Sequence, residues 1–142
     1  MSATPPRRIV TIRVRDLFAT ATGKSIGILE APKPPAGQAQ PSMPYGILYP
    51  IDGATYSGTF ADAYADVSYP YQVSSFGVAY EQVEDMAHRI HQVALDTDAH
   101  PLVIEGYVVM ARDIDTAPSQ PEKVGPDLFS VVERFRFAIT PQ

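Results

Sequence analysis

The sequence predicts an α+β fold, with a single mostly antiparallel sheet and two helices packed on one of its faces. Two segments repeat apolar residues at helical spacing, and several shorter ones alternate apolar with polar residues. Fourteen prolines divide these segments from one another. A length of 142 residues, 45% apolar and 19% charged, is enough for one domain with a hydrophobic core over 1–142.

The first half of the chain predicts a helix and two short strands. Val10, Val14 and Phe18 recur at helical spacing, and Gly23 lies at the usual position just past a helix end. Five prolines over 32–44 predict a loop or linker, because proline cannot enter the interior of a sheet. The predicted elements here are a helix at 8–21 and strands at 25–31 and 45–51.

Two segments of different character follow. Residues 53–66 mix small residues, aromatics and acids with no clear period, which predicts a long hairpin tip or a loop. Over 67–74, residues such as Val67 and Tyr69 alternate with polar ones, as in a half-buried strand. Pro70 places the first part of this strand at a sheet edge or at a bulge.

The second half predicts a helix and two long strands. The clearest helix runs over 78–95, where Val83, Ala87 and Ile90 fall on one face. Its acids precede its bases, an order that the helix dipole favours. Long apolar strands are predicted at 102–114 and 128–140 as an antiparallel pair, with a loop over 115–127 between them.

Composition excludes several classes of function. Without cysteine, the chain has no disulfide scaffold, thiolate nucleophile or cysteine-built metal site. The net charge is −5, and no Lys or Arg lies between Lys33 and Arg89. The N-terminal stretch is the only candidate for a phosphate-binding patch, and its arginines are weak evidence for binding of nucleic acid. No apolar run reaches the ~18 residues of a membrane span, and the N-terminus lacks a signal-peptide core. We therefore expect a soluble protein inside a cell.

Motifs for chemistry are weak. Gly23, Lys24 and Ser25 resemble the end of a phosphate-binding loop, but the earlier glycine is missing and the order of strand and helix is reversed. His88 and His91 stand at i and i+3 on a helix, whereas zinc helix motifs use i and i+4. Paired aspartates lack calcium-loop spacing, and no serine lies in a nucleophile elbow. We expect no enzyme, no catalytic residue, no metal and no cofactor.

Tyrosine is the unusual feature of this chain. Seven of its eight tyrosines lie in the base-free stretch between Lys33 and Arg89. Tyrosine favours interfaces because it joins an apolar body to a polar tip. No strand pattern accounts for the aromatics of 53–66, so we expect them to contact a partner. The interface candidates are Tyr45, Tyr49, Tyr56, Phe60 and Tyr64. Tyrosines beside acids also bind sugars, so a soluble carbohydrate-binding module is the alternative.

Three segments of the sequence resemble a known family. They are YPYQVSSFG at 69–77, YEQVEDMAHRI at 80–90 and ERFRFAITP at 133–141. Together they are similar to tail terminator (tail completion) proteins of long, flexible-tailed bacteriophages, over most of the chain after about residue 25. The Pro-rich 32–44 segment and the Tyr-rich 53–66 segment depart from the family's pattern.

The resemblance implies a mechanical function. Tail terminators form a ring, usually of six subunits, that sits on the last ring of the tail tube and stops polymerisation. The ring then offers a face to the head–tail connector protein, and genome DNA passes through it without sequence-specific binding. The implied location is the head-proximal end of the virion tail, after assembly in the host cytoplasm and with no membrane partner. Another head–tail connector protein is a further alternative.

Overall fold

The computed structural model describes residues 4–59 and 62–142, which form two helices and seven strands. The helices are α1 (Arg7–Thr22) and α2 (Tyr80–Leu95). The strands are β1 (Ile26–Ile28), β2 (Tyr45–Pro50), β3 (Thr55–Thr59), β4 (Asp62–Gly77), β5 (Tyr107–Thr116), β6 (Glu122–Gly125) and β7 (Leu128–Pro141).

The strands form one sheet in the order β1-β2-β4-β7-β5, with β3 paired to β4 and β6 paired to β7. β1 and β2 are parallel, and the other described pairs are antiparallel. The predicted α+β class with one mostly antiparallel sheet is confirmed. The predicted pairing of the last two long strands is confirmed as well, because β5 and β7 are antiparallel neighbours.

Both described helices lie on one face of the sheet. α2 packs on β4, β7 and β5, whereas α1 packs on β1 and on α2. Because side chains alternate along a strand, every second residue of β4 and β7 points towards the helices. The core between the two layers includes Val10, Val14, Phe18, Leu48, Val67, Tyr71, Met86, Ile90, Phe135, Phe137 and Ile139.

A buried hydrogen bond joins α1 to the central strand β4. Thr11 Oγ1 lies 2.9 Å from the Tyr71 hydroxyl, and both residues are buried. Burial raises the pKa of Tyr71 to about 12, and the hydrogen bond between Tyr71 and Thr11 opposes part of that rise. The phenol is therefore neutral throughout the physiological pH range and retains its bond to the helix.

Left-handed backbone conformations end the first two elements. Gly23 follows α1 with φ 70°, and its N–H donates to Ala19 O at 3.0 Å, as the sequence predicts for a helix end. Leu29 has φ 64°, so β1 stops at Ile28, three residues before its predicted end. A non-glycine residue rarely takes this left-handed conformation, and no sequence pattern predicts it at Leu29.

Three predicted boundaries in the second half of the chain differ from the structure. α2 begins at Tyr80, two residues later than predicted. β5 begins at Tyr107 instead of residue 102, because the chain turns at Gly106, which has φ 86°. The predicted loop at 115–127 contains β6. Its side chains are mostly exposed, so it has no apolar alternation, and its pairing with β7 holds it in place.

The predicted strand at 67–74 is longer in the structure and lies in the interior of the sheet. β4 starts at Asp62, and its first residues pair with β3, so two paired strands lie within the 53–66 segment that the sequence predicts as a hairpin tip or a loop. Pro70 stands in this central strand, not at an edge. The Pro70 carbonyl accepts a hydrogen bond from Ile51 N–H at 3.3 Å. This bond lies in the gap between β2 and β3, so no residue of a neighbouring strand needs the N–H that proline lacks.

The packing of α2 generates a stability prediction. Ile90 is 1% exposed, and we expect Ile90→Ala to lower the free energy of unfolding by about 2–5 kcal/mol through lost burial and a cavity. Ile114→Ala is the matched control, since Ile114 is 43% exposed, and it should cost less than about 1 kcal/mol. Urea denaturation measures both. An unchanged midpoint for Ile90→Ala would contradict the placement of this helix face.

Candidate interaction surface

A β-hairpin extends beyond the body of the sheet. It consists of β3 and residues 62–66 of β4, and we call it the hairpin. The ladder between β4 and β7 begins at Val67, which pairs with Ile139, so residues 62–66 precede that ladder. Thr55 and Tyr56 lie level with the end of this ladder, and the rest of the hairpin lies past it.

The hairpin carries an exposed tyrosine on each of its two strands. Tyr56 is 50% exposed and pairs with Val67, whose side chain is buried under the helices, so Tyr56 lies on the helix side. Tyr64 is 71% exposed and lies on β4 between the Ser57–Asp66 and Thr59–Asp62 pairs, where the register of the ladder shifts. Such exposed aromatics usually mark contacts with other molecules.

Hydrogen bonds fix the root of the hairpin to the rest of the domain. Thr4 Oγ1 donates to Tyr64 O at 2.6 Å, and the Tyr69 hydroxyl donates to Pro5 O at 2.7 Å. Arg136 Nη2 donates to Gly53 O at 2.8 Å, just before β3. A surface fixed in this way loses less conformational entropy when it binds than a mobile loop does.

The other interface candidates lie elsewhere. Tyr45 is 7% exposed, and its ring stacks on Phe76 with centroids 5.0 Å apart on the face opposite the helices. Burial also raises the pKa of Tyr45. Tyr49, further along β2, is half-buried. Phe60 lies outside the described residues. Among the described candidates, Tyr56 and Tyr64 thus offer the most surface to a partner.

Sequence reasoning missed a buried acid under α2. Glu133 on β7 is 3% exposed, and its Oε2 lies 2.6 Å from His91 Nδ1 on α2. Among residues 4–59 and 62–142, its Oε1 has no hydrogen-bond partner. Burial raises the pKa of Glu133, while the hydrogen bond and charge of His91 oppose the rise. The sequence does hold a sign of this buried acid, because Glu133 interrupts the apolar face of the last strand between Val131 and Phe135.

A buried arginine was also missed. Arg112 on β5 is 8% exposed and donates to His100 O at 2.6 Å and to Val93 O at 3.1 Å. It binds a carbonyl of the last turn of α2 and the loop that follows, so it fixes the end of this helix to the sheet. No sequence signal marks it, because a bulge at Met110 shifts the alternation of β5 by one residue.

The histidines of α2 line an open groove. His88 and His91, together with Glu84, face residues 118–121 across a cavity of about 460 Å³. In the described part of the chain, no group of three His, Cys, Asp or Glu side chains is placed to hold a metal ion. No helix over 4–59 and 62–142 is long and apolar enough to cross a membrane.

Comparison with known proteins gives a structural similarity. No protein-family model matches the chain, and no curated protein matches it. One chain of the solved structure "Virion of native gene transfer agent (GTA) particle" has a similar fold, with a TM-score of 0.62 and 17% sequence identity. The match covers 92% of this chain and 91% of that chain. The two chains therefore share their fold over nearly their whole lengths.

The buried acid generates a pH prediction. Because the pKa of Glu133 is raised on folding, its contribution to stability is complete below its ordinary pKa and is lost as the pH rises through the raised value. Glu133→Gln keeps a hydrogen-bonding side chain that never ionises. We expect the thermal midpoint of the variant, relative to the parent, to increase from about pH 4 to about pH 7. A difference that is constant over this range would contradict the prediction.

Metal removal should not affect folding. No ligand set in the sequence has the spacing of a structural site, so we expect a chelator to leave the thermal unfolding curve unchanged. Circular dichroism with and without EDTA measures this. A large drop in the midpoint would assign a metal-binding role to His88, His91 or the paired aspartates, and alanine variants of these residues would then identify the ligands.

Proposed function

We propose that the chain is a virion structural protein, with a structural and not a catalytic role. The observation that carries the proposal is the fold shared over 92% of this chain with a chain of a gene transfer agent virion. The resemblance of 69–77, 80–90 and 133–141 to tail terminator proteins supports the same assignment from the sequence. The exposed, anchored hairpin supplies a surface of the kind that assembly requires.

The finer proposal is a ring that caps the tail tube, ends its polymerisation and provides the head–tail joining face. A head-to-tail contact between identical copies closes into a ring when its rotation divides the circle, and such a ring has two different faces. One face suits the tail tube protein and the other the head–tail connector. Several weak contacts made together strengthen each docking step. The net charge of −5 suits a lumen through which DNA passes without adhering.

Particle size and capping test this proposal. In sedimentation and negative-stain images, the purified protein should appear as a ring of several copies of 15.5 kDa, usually six, or should assemble on tail tubes. Added to growing tail tubes, it should stop elongation and occupy one end. A protein that stays a monomer and neither binds nor caps tubes would contradict the proposal, and binding to glycans would favour the carbohydrate module instead.

Removing the exposed hairpin tyrosines should reduce assembly without unfolding the chain. An aromatic side chain buried at an interface contributes ~1.5–3 kcal/mol through its area. We expect Tyr56→Ser with Tyr64→Ser, and the triple variant that adds Phe60→Ser, to keep the parent's circular dichroism but to weaken association or tube capping. Tyr80→Ser is the control, because Tyr80 is 58% exposed at the start of α2, away from the hairpin.

Two results would contradict this prediction. If the triple variant sediments and caps tubes like the parent, the hairpin is not an interface. If the Tyr56→Ser and Tyr64→Ser variant unfolds as a monomer, these side chains belong to the core of the domain. Comparing the two single variants shows which strand of the hairpin meets the partner, since Tyr56 lies on β3 and Tyr64 on β4.

A further inference from the structure

The sheet has an unpaired edge on each side. In the described part of the chain, β3 pairs with β4 and with no strand beyond it, and β5 pairs with β7 and with no strand beyond it. The outer edges of β3 and β5 thus present unpaired backbone N–H and C=O groups on opposite sides of the sheet. Such an edge is a template for a strand of another chain.

The edge strands β3 and β5 share a row of paired residues across the sheet. Along one row, Tyr56 pairs with Val67, Val67 pairs with Ile139, and Ile139 pairs with Val109. This row runs from β3 through both central strands to the first half of β5, residues 107–111. A second copy placed beside the first at the same height would bring its β3 next to this half of β5.

The charges of β5 are confined to its other half. Residues 107–111 read YVVMA and β3 reads TYSGT, so neither segment carries a charge. The second half of β5 contains Arg112, Asp113 and Asp115, and charges on an edge strand oppose pairing with another chain. In the uncharged half, Val108 is 44% exposed and Met110 is 50% exposed. The apolar half is the one that lies level with β3.

The directions of the two edge strands also favour pairing of β3 with β5 of a neighbouring copy. Three antiparallel steps connect β3 to β5 through β4 and β7, so β3 and β5 run in opposite directions. Every copy in a ring keeps the same polarity along the ring axis. The β5 edge of one copy therefore meets the β3 edge of its neighbour in antiparallel orientation, which is the more stable form of pairing.

We propose that residues 107–111 of β5 pair with β3 of a second copy of this chain, so that one sheet continues from subunit to subunit. The inference rests on the proposed function, because it assumes that identical copies assemble head to tail. In this pairing, the uncharged half of β5 in one copy is the partner of the hairpin in the next copy. Tyr56 then packs beside Val109, while Ser57 and Val108 share the face away from the helices.

Disulfide cross-linking tests this pairing directly, because the chain has no cysteine of its own. Ser57→Cys is combined in one chain with Val108→Cys or with Met110→Cys, and the full-length protein is oxidised at assembling concentration. We expect at least one of these variants to form a covalent ladder of multimers on a non-reducing gel. Ser57→Cys with Thr116→Cys is the control, since Thr116 lies at the far, charged end of the same strand.

Introducing charges at the proposed junction provides a second test that uses no cysteine variants. Val108→Glu should weaken assembly at least tenfold, because it places an unpaired carboxylate at the junction, while its thermal unfolding should remain near that of the parent. Adding Ser57→Lys, on the same face of the neighbouring strand, should restore part of the loss. Ser57→Lys with Val108→Lys should assemble least well, because like charges face each other.

The outcomes separate this inference from the proposed function. If the protein forms its ring but Val108 and Met110 cross-link no better than Thr116, and Val108→Glu assembles normally, the edge pairing is wrong and the ring proposal stands. If the parent chain stays monomeric at all concentrations and on tail tubes, both proposals fail. Preferential ladders from Val108 or Met110, with restoration by the charge pair, support the continuous sheet.

Discussion

The pairing of β4 with β7 is the constraint on which the rest of the structure depends. The ladder runs from Val67 opposite Ile139 to Gly77 opposite Phe129. Because both strands alternate, this register places Tyr71, Phe135 and their neighbours on one face, and α1 and α2 must cover that face to remove it from water. A slip of one residue would turn the apolar set towards solvent. The register also fixes where the hairpin leaves the sheet.

The same register buries polar groups between α2 and the sheet. Glu133 faces the helix layer and meets His91, and Arg112 reaches the carbonyls of Val93 and His100. Burying such groups is costly unless they are hydrogen-bonded, so each one restricts how α2 can lie on the sheet. The apolar core attaches the helix, and these polar contacts select one position for it. The sheet edges beyond α2 are thereby held in defined places.

In the function that we propose, the edges of the sheet, and not a pocket, form the contact surface. The hairpin is anchored at its root through Thr4, Tyr69 and Arg136, yet Tyr56 and Tyr64 remain exposed. In the assembly that we propose, the anchored hairpin on one side of the sheet and the uncharged edge of β5 on the other form the two halves of a head-to-tail contact. The proposal rests on the fold that this chain shares with a chain of a gene transfer agent virion.

The sequence by itself determined α2 and the long strands β5 and β7, because each depends on apolar periodicity within a single segment. The order of these elements along the chain then predicted the fold class and the antiparallel pairing of β5 with β7. It also identified 53–66 as exceptional through its tyrosines. Only the tertiary structure decided that Tyr45 is buried, that Tyr56 and Tyr64 stay exposed on a hairpin, and that Arg112 reaches the end of α2. The physical reason is that each of these depends on strand register and on bulges, which are set by contacts between segments distant in the sequence.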